Sequence, residues 1–133
     1  MWYAILGAVL LAGDQILKYW VVTHLAVGES APFLPGFMQL TRLHNYGAAW
    51  SSLSGRPVLL VVFTAVLLAA VALLLIKKVV RHWTGITACT LILSGGIGNI
   101  IDRIVHGYVV DMFDLQLFSY PVFNLADCCV VVG

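Results

Sequence analysis

Two aspartates, Asp111 and Asp127, have the strongest claim to chemistry in this chain. The first follows the apolar run Tyr108-Val109-Val110, and the second closes the stretch Phe123-Asn124-Leu125-Ala126-Asp127. Taken singly, each reads as a structural acid bonded to backbone amides. Taken together, they fall at one depth of an otherwise apolar chain and are joined by a short loop. Two carboxyl groups held close cannot both ionise, so they share a proton. One then acts as general base on a water while the other acts as acid toward a carbonyl. This is the chemistry of peptide hydrolysis by an acid pair. It calls for no metal and no cofactor, and none is expected. Apolar surroundings should raise at least one of the two pKa values, and the pair should titrate as a unit. Asp114 sits further into the loop and reads as a solvated charge.

A second set of polar residues lies where polarity is expensive. Asp14 and Lys18 are four apart and share a helix face, either as a structural ion pair near the outer end of the first helix or as support for a site. Asn99, Asp102, Arg103 and His106 follow one another at spacings of three and four or fall beside that stripe. They read as the lining of a polar cavity or, alternatively, as a pairing of Asp102 with Arg103 or Lys18. Ser94 and Gly98 form a small-xxx-small pair that lets another helix approach closely. A charge at membrane depth is unfavourable by roughly 3 kcal/mol even on the lenient insertion scale, so each of these residues needs a partner.

The elements that must position these residues follow from composition. Of 133 residues, 62% are hydrophobic and 10% are charged. A soluble domain carries about 25% charged residues, which excludes a soluble fold, a disordered chain and a secreted disulfide scaffold. Residues 58–76 form a 19-residue run without a charge, and residues 82–101 contain no Asp, Glu, Lys or Arg. A bilayer core needs about 20 helical residues. The expected fold is therefore an all-α membrane protein: a four-transmembrane-helix bundle with a small extracytoplasmic β-rich element between helices one and two. The whole chain forms one integral membrane domain. Helices are expected at about 1–22, 57–76, 83–105 and 121–133, with the β element at about 28–56 and residues 106–120 as a second interfacial loop. The strand-like stretch is Phe37-Met38-Gln39-Leu40-Thr41-Arg42-Leu43. The last helix spans about 20 Å, short of a full pass, so the natural chain is expected to continue past Gly133.

Lys77, Lys78 and Arg81 crowd the turn between helices two and three, which places that turn and the N-terminus on the cytoplasmic side. The N-terminal segment lacks a basic start and is followed by Asp14 and Lys18, so it reads as a retained first helix rather than a cleaved signal. Cys89, Cys128 and Cys129 lie in apolar surroundings without metal-type spacing and read as small buried residues. A net charge of +1 gives no reason to expect nucleic acid as a partner.

These motifs together resemble the lipoprotein signal peptidase (signal peptidase II) family, bacterial membrane aspartic proteases. Asp14-Gln15-Ile16-Leu17-Lys18 resembles the family's Asp-x-x-x-Lys segment. His44-Asn45-Tyr46-Gly47-Ala48-Ala49-Trp50 resembles its Asn-x-Gly-Ala-Ala-aromatic loop. The run from Gly95-Gly96 through Gly98-Asn99 to Asp102-Arg103 resembles its Gly-Gly-x-x-Gly-Asn-x-x-Asp-Arg stretch. Val109-Val110-Asp111-Met112 and Phe123-Asn124-Leu125-Ala126-Asp127 resemble the two catalytic motifs, with Met112 where Phe is more common and Trp50-Ser51 where Phe-Gly is more usual. The resemblance implies removal of signal peptides from diacylglyceryl-modified prolipoproteins in the bacterial inner membrane, by cleavage N-terminal to the lipidated cysteine. It makes Asp111 and Asp127 the catalytic dyad. Asn99, Arg103 and Asn124 line the site, Asn45 belongs to the extracytoplasmic β-cradle, and Asp14, Lys18 and Asp102 support the pocket. Membrane lipids are the surroundings, and a monomer suffices. Two readings compete. A small four-helix proton-coupled multidrug or cation transporter would use Asp14 but leaves Asp111, Asp127, Asn99 and Asn124 without work. A non-catalytic assembly factor would use all the buried polar groups only to pack helices.

Overall fold

The computed structural model describes residues 1–48 and 52–133. Among the described residues it contains four helices and one three-stranded sheet. Three helices are long and apolar enough to cross a membrane: α1 (Trp2–His24), α2 (Pro57–Ile76) and α3 (Trp83–His106). At 1.5 Å per residue the shortest of them reaches about 30 Å, the thickness of a hydrocarbon core. Their boundaries carry ordinary signals. Pro57 occupies the first turn of α2, where its missing N–H is no loss. His82 caps α3 by accepting a hydrogen bond from the Thr84 amide, and Gly107 ends α3 in the left-handed conformation at φ 81°.

Burial runs opposite to that of a soluble protein. Val58, Val62, Phe63, Val66 and Ile76 of α2 face outward, whereas Asp14, Lys18, Asp102, Asp111 and Asn124 are all 3% exposed or less. Every buried side-chain nitrogen and oxygen among the described residues has a hydrogen-bond partner. An apolar exterior around a saturated polar interior is what lipid as solvent requires. α3 is the central post, and α1, α2 and α4 (Leu125–Val132) all pack against it. The close approach needs glycine at two points. A Cβ on Gly95 would collide with the Ala126 carbonyl oxygen of α4, and one on Gly98 would lie 2.7 Å from Asp14 Oδ2.

The sheet consists of β1 (Ser30–Leu34), β2 (Met38–Asn45) and β3 (Val109–Leu115), antiparallel in that order. Asp111 stands opposite Leu43, and Val109 opposite Asn45. The register shifts between Leu40 and Leu43, a bulge that bends β2 where the sheet meets the bundle. The sheet is docked on the end of α1. Val21 and Leu25 pack with Val110 and Met112, and Arg42 Nη1 donates to the carbonyls of Val22 and Leu25 at 3.1 and 2.9 Å.

Three expectations need correction. Residues 109–115, expected within a loop, form β3, so the β element is not confined to residues 28–56. The fourth helix begins at Leu125, not Pro121, because Phe123 still bridges Phe113 in extended pairing and Asn124 provides the cap. Asp114 is not a free solvated charge, since its Oδ2 accepts hydrogen bonds from Gln39 Nε2 at 2.8 Å and Thr41 Oγ1 at 3.1 Å. Ala49, Trp50 and Ser51 lie outside the described residues.

Candidate active site

Asp127 is held by local sequence. Asn124 precedes α4 in extended conformation, and its side-chain oxygen accepts from the Asp127 amide at 2.8 Å. Asp127 Oδ2 in turn accepts from the Asn124 amide at 3.1 Å. This reciprocal capping box fixes the carboxylate at the first turn of the helix, where the helix dipole also favours negative charge. A helix starting at residue 121, as expected from the sequence, would have put Asp127 about two turns in.

Asp111 is held by tertiary structure. It lies on β3 and is 1% exposed. Its Oδ1 accepts from Asn124 Nδ2 at 2.8 Å, and its Oδ2 accepts from Asn45 Nδ2 at 3.2 Å. Asn124 therefore touches both acids, binding Asp111 with its side-chain amide and Asp127 with its backbone and side-chain oxygen. Burial, and secondarily the charge of Asp127, push the Asp111 carboxyl up to about 7; the hydrogen bonds from Asn45 and Asn124 and the charge of Lys18 oppose the shift. A carboxyl group at that position exchanges a proton near neutral pH.

The remaining residues of the α3 stripe support this pair. Asn99 Nδ2 donates to Asp127 Oδ1 at 2.8 Å, while its Oδ1 accepts from both Asn124 Nδ2 and Lys18 Nζ at 3.1 Å. Lys18 pairs with Asp14 at 2.8 Å and with Asp102 at 3.1 Å. The two supporting acids each fix a backbone amide. Asp14 Oδ1 accepts from the Ala126 amide at 2.9 Å, beside Asp127, and Asp102 Oδ2 accepts from the Val110 amide at 3.0 Å, beside Asp111. Arg103 Nη2 donates to the Gly47 carbonyl at 3.0 Å and so ties the loop after β2 to α3. His106 stands apart, exposed and stacked on Tyr108.

The structure thus gathers Asp111, Asp127, Asn45, Asn99, Asn124, Lys18, Asp14 and Asp102 into one bonded network, with Arg103 at its edge. Of the two pairings left open for Asp102, Lys18 is the partner. Gln15 was missed. Its Nε2 reaches Asp14 Oδ2 at 3.1 Å and both Asp102 Oδ1 and the Gly98 carbonyl at 3.4 Å. Its position next to Asp14 in an apolar helix was the available signal.

This architecture is that of a membrane enzyme. Two solved structures described as bacterial membrane enzymes superpose on the chain. One has a TM-score of 0.93 at 31% identity, covering 98% of this chain and 80% of that one. The other has a TM-score of 0.88 at 32% identity, covering 98% and 85%. Sequence narrows the class. A family model described as Signal peptidase (SPase) II matches residues 6–133. The lipoprotein signal peptidase of Enterococcus faecalis is 40% identical over 131 residues, covering 98% of this chain and 81% of the relative. That of Lactiplantibacillus plantarum is 40% identical over 134 residues, covering 100% and 89%. The chain belongs to the signal peptidase II family, a family of membrane proteases.

Proposed function

We propose that the chain is an aspartic endopeptidase that removes signal peptides from diacylglyceryl-modified prolipoproteins, cleaving on the N-terminal side of the lipidated cysteine. The observation that carries this reading is the position of Asn124, bonded to Asp111 and Asp127 at once. It supports a dyad that works as one unit, with a proton available near neutral pH.

The reaction needs one water between the two carboxyl groups. The ionised acid takes a proton from the water as its oxygen adds to the scissile carbonyl carbon. The protonated acid gives its proton to the carbonyl oxygen. The tetrahedral species then collapses: the C–N bond breaks, the departing nitrogen takes the proton that the first acid had gained, and the hydroxyl made from the carbonyl oxygen returns its proton to the second acid as the C=O bond reforms. The products are the signal-peptide carboxylic acid and the free amine of the lipidated cysteine. Asn45, Asn99 and Asn124 orient the carboxyl groups, while Arg103 ties Gly47, just after β2, to α3. Asp14, Lys18 and Asp102 support it from beneath.

In this reading four helices enter the membrane of the bacterial inner envelope. The N-terminus and the α2–α3 turn face the cytoplasm, and the sheet lies at the extracytoplasmic surface as a cradle. That depth suits a bond beside a lipidated residue, since water reaches the acids while the acyl chains remain in lipid. One chain is sufficient. The transporter reading is disfavoured by Asp14 itself, whose oxygens are taken by Lys18, Gln15 and the Ala126 amide.

The test is cleavage of a lipidated prolipoprotein by Asp111→Asn and Asp127→Asn. Each is expected to lose at least about 10³-fold in rate, the scale of removing one member of a proton-transfer pair, while still folding. Asp14→Asn should only impair cleavage. Full activity in either dyad variant would end the proposal.

A further inference from the structure

The end of the bundle away from the acid pair holds a cavity that the proteolytic site does not use. It has a volume of about 680 Å³ and runs between α1, α2 and α3. Its walls are Ala4, Gly7 and Ala8 on α1 and Ile86, Leu93 and Ile97 on α3, with Lys78 and Arg81 at its mouth. The small residues of α1 create the space. From Ile86 to Ile97 the floor extends about 16 Å at 1.5 Å per residue, half the thickness of a hydrocarbon core and thus the depth of one leaflet.

The mouth is built rather than merely basic. Lys78 adopts a left-handed backbone at φ 54°. Arg81 folds back so that its Nε donates to the Lys78 carbonyl at 2.8 Å. Among the described residues no carboxylate pairs with either cation, and the sequence has no acid between Glu29 and Asp102. Two uncompensated cations therefore stand over an apolar slot as deep as an acyl chain is long. A volume of this size is typical of a ligand cavity, and basic pockets between membrane helices bind anionic headgroups.

We infer that this groove is a binding site for an anionic phospholipid, with an acyl chain lying along Ala4, Ala8 and Ile97 and the phosphate held by Lys78 and Arg81. Charge selects this occupant. The groove offers cations to whatever fills it, which favours a phosphate over the positively charged start of a signal peptide.

The experiment is native mass spectrometry of the full chain released from bilayers of equal phosphatidylglycerol and phosphatidylcholine. Retained phosphatidylglycerol should exceed phosphatidylcholine. Arg81→Gln should lower the ratio about fivefold, the usual effect of one cation facing an anionic lipid, and so should Lys78→Asn, in which Asn tolerates the left-handed backbone. Ala8→Phe should reduce retention of both lipids by filling the slot. Lys77 lies in the same turn but does not line the groove, so Lys77→Gln should leave the ratio unchanged. Equal retention of the two lipids by the parent chain would overturn the inference. So would a Lys77→Gln effect as large as that of Arg81→Gln, which would indicate general surface attraction. Displacement of retained lipid by a synthetic signal peptide, or a dimer that Ala8→Phe dissolves, would assign the groove to another occupant and overturn it equally.

Discussion

Two buried polar clusters lie side by side in this bundle and differ in one respect. In the first, Lys18 sits between Asp14 and Asp102, so a cation stands amid two carboxylates. In the second, Asp111 and Asp127 receive only amide donors, from Asn45, Asn99, Asn124 and the backbone. Asn99 joins the two, accepting from Lys18 and donating to Asp127. The first cluster is partly charge-compensated, one cation for two carboxylates, and fixes backbone: its acids hold the amides of Ala126 and Val110, one residue from each member of the second. In the second cluster no cation pairs directly with either acid, and burial, with the charge of Asp127 beside it, pushes the Asp111 carboxyl up to about 7. Burying charge with a counter-ion builds a scaffold; burying it without one makes a titrating site.

That contrast can be broken at its strongest point by Lys18→Met. Removing the cation strands two buried carboxylates, and breaking such a pair is typically worth about 3–5 kcal/mol of stability. Thermal unfolding in detergent should show a large fall in Tm, with loss of folded yield. Wild-type stability in Lys18→Met would mean that the first cluster is not a scaffold.

The next largest effect is on pH dependence. The Asp111 carboxyl is raised from 3.8 to about 7 in the folded chain. A raised acid contributes stability that is fully present below about pH 4 and is lost as pH climbs through 7, because the unfolded chain releases that proton earlier. The loss is at most about 4 kcal/mol, from 1.36 kcal/mol per pKa unit. Tm should therefore fall between about pH 4 and 7, and Asp111→Asn should flatten that slope. An unchanged slope in the variant would place the titration elsewhere.

Asn124→Ala separates the two roles of that residue. Loss of the cap should remove about 1 kcal/mol of stability. Cleavage should fall further, on the order of 10²-fold, since both acids lose a positioning contact. Equal small effects on both would reduce Asn124 to a cap. Asn45→Ala should act more mildly. It frees one Asp111 oxygen of a hydrogen bond that lowers its pKa, so the pH profile of cleavage should move upward with a loss of about tenfold or less. At the end of the scale, chelators should leave cleavage unaffected, whereas inhibition reversed by added metal would contradict the acid-pair mechanism.

The clusters were unequally legible in the sequence. The three long helices follow from length, apolar runs and cap residues such as Pro57, all of which act locally. Asp111 and Asp127 stand out in the sequence as two acids in an apolar chain, and in the structure each bonds to Asn124. β3 was not, because a seven-residue run with two acids inside it becomes a strand only by pairing with β2, far away in the chain. The start of α4 was misread for a different reason. Pro121 is a good first-turn residue, but Asn124 and Asp127 are spaced as a reciprocal cap, and that local signal prevails. The attachment of Asp14 to the Ala126 amide joins residues 112 apart in sequence, and no local pattern encodes it. Asp114 was misread likewise, since Gln39 and Thr41 reach it only through the sheet.

The most direct measurement is a high-resolution structure of the chain bound to a lipidated peptide whose scissile amide is replaced by a hydroxyl-bearing tetrahedral carbon. The account predicts that this hydroxyl lies within hydrogen-bond reach of one oxygen of Asp111 and one of Asp127, where the water would otherwise stand. A hydroxyl bound to neither acid, or to one acid with the other turned away, would contradict it.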